Sequence, residues 1–125
     1  LTIGLKNAEQ YRSISAFSPI CNPVQCPWGQ KAFTAYLGKD IESWKQYDAS
    51  ELLKQKPSPL PILVDQGDAD GFLNEQLRPE ALVAAAKVHD SNLNLRMQSG
   101  YDHSYYFISS FIDDHLNFHA KYLFA

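Results

Sequence analysis

The run Pro61-Ile62-Leu63-Val64 constrains this chain more than any other feature. Lys56-Pro57-Ser58-Pro59 breaks whatever precedes it, and the stretch from Gln66 to Gly71 is rich in turn formers. Four consecutive apolar positions leave no polar face, so a strand formed here must be covered on both sides, which is the condition of a parallel strand. Pro79 to Val88 then has the Ala-rich composition and early proline of a helix, with Glu80 near its positive end. Leu93-Asn94-Leu95-Arg96-Met97 alternates as a second strand, and Ser99 to His103 reads as the loop after it. In the closing segment Ile108, Phe111, Ile112, His115, Leu116, His119 and Leu123 recur at three- and four-residue steps, which predicts a long helix with one face on a sheet. Strand, helix, strand, helix in this order is a βαβα unit, and the fold class it predicts is α/β with a mostly parallel sheet.

Upstream, Ser13-Ile14-Ser15-Ala16-Phe17 suits a short strand stopped by Ser18-Pro19. Ile20 to Gly29 carries Asn22-Pro23 and Cys26-Pro27-Trp28-Gly29 and is expected at a surface or cleft, because its prolines lack backbone donors. Lys31 to Leu37 is helical in pattern with Gly38 as its stop, and Ile41 to Tyr47 adds another turn or two. Asp48-Ala49-Ser50-Glu51 predicts a capping box at the start of a short helix.

Composition narrows the function. In 125 residues, 14 acidic and 11 basic side chains give a formal charge of −3, and the basic residues are dispersed, so nucleic acid is not an expected partner. The longest membrane candidate, Ser104 to Leu123, is interrupted by Asp113 and Asp114, so no membrane partner is expected either. Two cysteines, Cys21 and Cys26, are too few for a disulfide scaffold and predict buried thiols in a reducing, cytoplasmic setting. Their spacing lacks the second ligand pair of a zinc site. Leu1 to Lys6 reads as the interior of an apolar segment with no capping residue before it, as if the chain were cut there, and it is expected to leave apolar surface without a partner.

Open α/β sheets react at the carboxyl ends of their strands. One such loop region holds Asp65, Asp68 and Asp70, and the next holds His103. A carboxylate and an imidazole from successive strands are what a hydroxyl nucleophile needs: the ring takes the proton, and the acid orients the ring and stabilises its cation. Asp102 is adjacent to His103 in sequence and diverges from it, so the acid is expected from the other strand. The residues themselves do not rank Asp68 against Asp70. A calcium loop aligned on Gly71 fails, because Gln66 and Leu77 then stand at its first and last ligand positions. His115 and His119 lie one turn apart, but no third ligand is evident and packing is the expectation. The α/β-hydrolase order is Ser, then Asp, then His, yet no G-x-S-x-G occurs in this sequence.

Four segments in order resemble the S-formylglutathione hydrolase (esterase D) family. They are Ser15-Ala16-Phe17-Ser18-Pro19-Ile20-Cys21-Asn22-Pro23, then Cys26 to Phe33, then Asp65-Gln66-Gly67 with Asp70 and Phe72-Leu73, and Gly100-Tyr101-Asp102-His103-Ser104-Tyr105-Tyr106-Phe107. The resemblance implies an α/β-hydrolase fold, with residues 1–125 as the carboxyl-terminal part of a single domain. It implies a cytoplasmic serine thioesterase that releases formate and glutathione in formaldehyde detoxification and also takes short-chain esters, with no cofactor. Asp70 matches the family's catalytic acid and His103 its base, while Trp28 becomes a candidate wall of the substrate pocket. The family's serine and oxyanion donors have no counterpart here, so the isolated chain is expected to be inactive. The partners implied are a small-molecule thioester or ester and the missing amino-terminal half of the same fold, and a homodimer is also envisaged. Two competing readings are a general short-chain carboxylesterase and a non-catalytic interaction module.

Overall fold

The strand built on the apolar run, β2 (Ile62–Gly67), is buried at every position and lies between β1 (Ile14–Phe17) and β3 (Leu93–Gln98) in a three-stranded parallel sheet. A computed structural model describes all 125 residues. In register, Val64 lies beside Ala16 and Leu95, and Asp65 beside Phe17 and Arg96. The helices are α1 (Thr2–Lys6), α2 (Pro27–Leu37), α3 (Ile41–Trp44), α4 (Ala49–Gln55), α5 (Pro79–Val88) and α6 (Tyr105–Leu123). α5 is the crossover that a parallel β2–β3 pair requires, and no helix is long and apolar enough to cross a membrane.

Side chains alternate across the sheet, so each strand serves two faces. On one face Ile14, Ile62 and Val64 join Leu5 of α1, Leu53 of α4 and Leu82, Ala85 and Ala86 of α5 in the apolar core. Leu53 is fully enclosed there, and its truncation to Ala carries the cost of about 2–5 kcal/mol usual for such sites. The other face, under α6, carries Ser13, Ser15, Asp65, Arg96 and Gln98, and it is joined to the helix by hydrogen bonds as well as by aromatic packing of Phe17 and Phe107.

Four expectations need correcting. α1 is not an orphaned apolar segment: Leu5 sits in the core, although Ile3 is exposed. The stripe predicted for α6 is partly wrong, because Ile112, Leu116 and Leu123 are exposed while Phe107 and His115 are the buried residues. A polar sheet face needs polar partners from its helix, so the contact line keeps His115 and His119 of the expected stripe and leaves its apolar flank outside. The Ile20 to Gly29 segment lies at the surface only in part: Ile20, Gln25 and Trp28 are exposed, whereas Cys21, Asn22, Val24 and Cys26 are buried, with both thiols free. The inner part can be buried because the start of α4 satisfies its polar groups: Asp48 Oδ2 accepts from Val24 N at 3.0 Å and Asn22 Nδ2 at 2.8 Å, and Ser50 Oγ donates to the Cys21 carbonyl at 2.7 Å. The capping box is half made. Asp48 accepts from Glu51 N at 3.0 Å, but the Glu51 side chain pairs with Lys54 at 3.2 Å instead of reaching back. Burial pushes the Asp48 carboxyl above its ordinary value against the pull of these donors, and burial, with the nearby Asp48 and Glu80 charges, pushes the Cys21 thiol up to about 12.

Candidate active site

β2 and β3 are parallel and adjacent, so the loops leaving their carboxyl ends are neighbours. They are also tied to each other. Asp68 N donates to the Gln98 carbonyl at 3.0 Å, Ala69 N to the Tyr101 carbonyl at 3.0 Å, and Gly100 N to Asp68 Oδ1 at 2.7 Å. Gly67 has no room for a side chain, since a Cβ there would collide with the Tyr101 carbonyl. Gly100 turns the second loop at φ 81°, a conformation that favours glycine.

Between these loops Asp70 and His103 meet, with Nδ1 at 2.8 Å from Oδ2. The Asp70 side chain is enclosed and held by two further donors, Phe72 N to Oδ1 at 2.8 Å and Gln66 Nε2 to Oδ2 at 3.1 Å. The His103 side chain is 43% exposed. An ionised carboxylate accepts, so the Nδ1 contact places the ring proton there and leaves Nε2 with a lone pair. His103 borders a cleft of about 350 Å³ shared with Phe17, Ser18, Tyr105, Phe107 and Ile108. Ser104 caps α6 directly after it, accepting from Phe107 N at 3.3 Å, so the ring stands at the entry to the helix. This pair can take a proton from a hydroxyl, a thiol or water presented at Nε2 and stabilise the resulting imidazolium.

The remaining candidates fall into place around it. Asp68 is exposed, and its carboxylate is engaged only with Gly100 N of the neighbouring loop. Asp65 is not a loop residue: it lies inside β2, on the α6 face, bound to Arg96, Gln98 and His115. Its own burial would push its carboxyl up, but the hydrogen bonds from Arg96, Gln98 and His115 outweigh that and hold it below its ordinary value. Trp28 does not border the cleft; it reaches His103 through Phe72, with ring centroids 4.6 Å from Trp28 to Phe72 and 5.4 Å from Phe72 to His103. Trp28 is fixed by its backbone N–H on Gln76 Oε1 at 2.9 Å. His115 binds Asp65, and His119 sits between Ser13 Oγ at 2.7 Å and Ser15 Oγ at 2.8 Å, so both face side-chain partners from the sheet. Sequence reasoning gave no role to Gln76, and it quoted Gln66 and Phe72 only within a segment of resemblance. A further signal for Phe72 was its position two residues after an Asp, where a carboxylate folds back on a backbone N–H.

Known proteins match this chain along nearly its whole length. The family model described as "Putative esterase" matches residues 1–118. Proteins named S-formylglutathione hydrolase are similar to the chain at 55% identity in Rattus norvegicus and 54% in Bos taurus, in each case over 98% of this chain and 44% of the relative. A solved structure of an S-formylglutathione hydrolase from Agrobacterium tumefaciens superposes with a TM-score of 0.93 at 49% identity, again covering 98% of this chain and 44% of that one. The chain thus spans less than half the length of these relatives. Its parallel sheet and flanking helices are those of the α/β-hydrolase fold, and the chain belongs to the esterase family.

Proposed function

We propose that residues 1–125 are the carboxyl-terminal part of one α/β-hydrolase domain, and that the whole protein is a cytoplasmic serine thioesterase acting on S-formylglutathione. The observation that carries this is the Asp70–His103 hydrogen bond at the carboxyl ends of two adjacent parallel strands, in a chain similar to proteins of that name. The serine comes from the rest of the domain. His103 Nε2 takes its proton as the serine oxygen attacks the formyl carbonyl, and Asp70 stabilises the cation formed. Collapse of the tetrahedral intermediate breaks the carbon–sulfur bond, and His103 hands its proton to the glutathione thiolate. Water then attacks the formyl-serine, His103 accepts its proton, and formate leaves as the proton returns to serine. Phe72 packs edge-on against the His103 ring with Trp28 behind it, an apolar support on one side of the base. The steps need only side chains and water.

Rates of the full-length protein on S-formylglutathione and on a simple acetate ester test the substrate assignment. A higher kcat/KM for the thioester supports it; a preference for the acetate ester would make the protein a general short-chain carboxylesterase of the same fold.

A further inference from the structure

The Asp65 carboxylate takes no part in the Asp70–His103 pair, yet it is wholly enclosed and accepts four hydrogen bonds. Oδ1 receives Arg96 Nε at 2.8 Å and Gln98 Nε2 at 2.9 Å, and Oδ2 receives Arg96 Nη2 at 2.6 Å and His115 Nε2 at 2.7 Å. Arg96 continues to Asp114 at 3.1 Å. The His115 ring is stacked on Phe17 with centroids 3.9 Å apart. Its Nδ1 is buried and has no partner. A bare lone pair is tolerated there far better than an unpaired N–H, so the ring proton belongs on Nε2, aimed at Asp65. Four elements meet at this point: β1 through Phe17, β2 through Asp65, β3 through Arg96 and Gln98, and α6 through His115 and Asp114.

A buried ion pair is weak evidence for stability, because desolvation offsets much of the attraction. What such a pair supplies is direction. An apolar helix face can slip or rotate on a sheet with little loss, whereas an imidazole N–H aimed at one carboxylate oxygen fixes both the rotation and the height of the helix. The height of α6 matters because His103 stands just before its first turn. Asp65 and Asp70 both belong to the carboxyl end of β2, in the strand and just past it, while His103 and His115 stand at the entry and in the middle of α6. Each carboxylate–imidazole pair therefore joins the same two parts of the fold at a different level.

Resting on the reading of His103 as the catalytic base, the geometry points to Asp65 and His115 as positioning residues: a second carboxylate–imidazole pair, remote from substrate, that sets the register of α6 and thereby the place of the His103 ring. Misplacement by about 1 Å is enough to cost up to ~10²-fold in rate. The test compares His115→Leu, which removes the donor, with His115→Gln, whose amide N–H can stand where Nε2 stands. Both are made in the full-length protein and assayed on one chromogenic short-chain ester, with active sites counted by stoichiometric acylation. The kcat per titrated site falls about ten- to a hundredfold in His115→Leu, with KM within about twofold, and is largely restored in His115→Gln. A structural role alone would lower the number of active sites and the melting temperature but leave kcat per site unchanged, and that result overturns the proposal, as does equal impairment of both variants. Asp65→Asn, which turns one acceptor into a donor facing donors, is expected to repeat the His115→Leu pattern and serves if that variant does not fold. His103→Gln separates the two levels: if it retains turnover, the reading of the active site itself fails, whereas a dead His103→Gln beside a His115→Leu of full kcat defeats only the positioning role.

Discussion

Asp70 and Asp68 are two residues apart, equally acidic and in one turn, and their surroundings assign them different work. Asp70 is enclosed with three donors converging on it, one of them His103, while Asp68 is exposed and accepts from Gly100 N in the neighbouring loop. In the full-length protein, Asp70→Asn is expected to lower kcat by up to ~10⁴ through loss of tautomer control and of imidazolium stabilisation. Asp68→Asn keeps an acceptor for Gly100 and should stay close to the parent rate; steady-state kinetics on one ester would reverse the assignment if Asp68→Asn were the crippled variant. Gly67 makes a separate prediction. A methyl group there meets the Tyr101 carbonyl, so Gly67→Ala must push the two loops apart, with a stability loss in the ~1–3 kcal/mol range of overpacked sites and a fall in kcat, measured by urea denaturation and the same assay. The sequence showed that an acid and His103 come from successive strand ends, but its residues could not separate Asp68 from Asp70. That choice depends on which carboxylate the turn folds inward, a matter of backbone path and not of residue type.

The least legible element was α6. Hydrophobic periodicity placed Ile112, Leu116 and Leu123 on its contact line, and all three are exposed. The contact runs through His115 and His119 of the expected stripe together with Phe107, because the sheet face beneath presents Ser13, Ser15 and Asp65. An Asp ending an apolar strand, an Arg at the matching place in the next strand and two His residues one turn apart were all visible, but each reads as ordinary until the register pairs them. The same polar layer gives α6 a pH dependence of definite sign. Burial, with the neighbouring His115, holds the His119 ring below its ordinary value, so the unfolded chain takes up a proton there before the folded one does. Stability from this site is fully present above about pH 6.5 and is lost as pH falls from there through the folded value. Asp65, held below its ordinary value, repeats the pattern lower on the scale: its contribution is present above about pH 3.9 and is lost as pH falls through the folded value. Hydrogen-exchange protection factors in the carboxyl-terminal half of α6, taken relative to the intrinsic exchange rate at each pH, should therefore fall on acidification below about pH 6.5, and His119→Gln should flatten that first step. An unchanged pH response in the variant would show that another group governs it.

At the scale of the whole molecule, the apolar run at Ile62 to Val64 was sufficient to predict a doubly covered parallel strand, and β2 is the middle of the sheet with helices on both faces. What patterning could not show was that the two faces differ in kind, one an apolar core and the other a hydrogen-bonded layer. β1 and β3 are edges of a three-stranded sheet, and unpaired edges recruit other strands. The 125-residue chain on its own is expected to self-associate in size-exclusion experiments and to show no turnover of a chromogenic ester; a monodisperse monomer, or saturable activity, would contradict the proposal that the rest of the domain supplies both the neighbouring strand and the nucleophile. The central claim is that Asp70 and His103 act as one unit, and a double-mutant cycle in the full-length protein tests it most directly. If Asp70 works only through the His103 ring, then once His103→Gln has removed the base, adding Asp70→Asn costs nothing further, and the double variant has the kcat/KM of His103→Gln alone. If instead the two losses multiply, the residues act independently and the dyad does not exist.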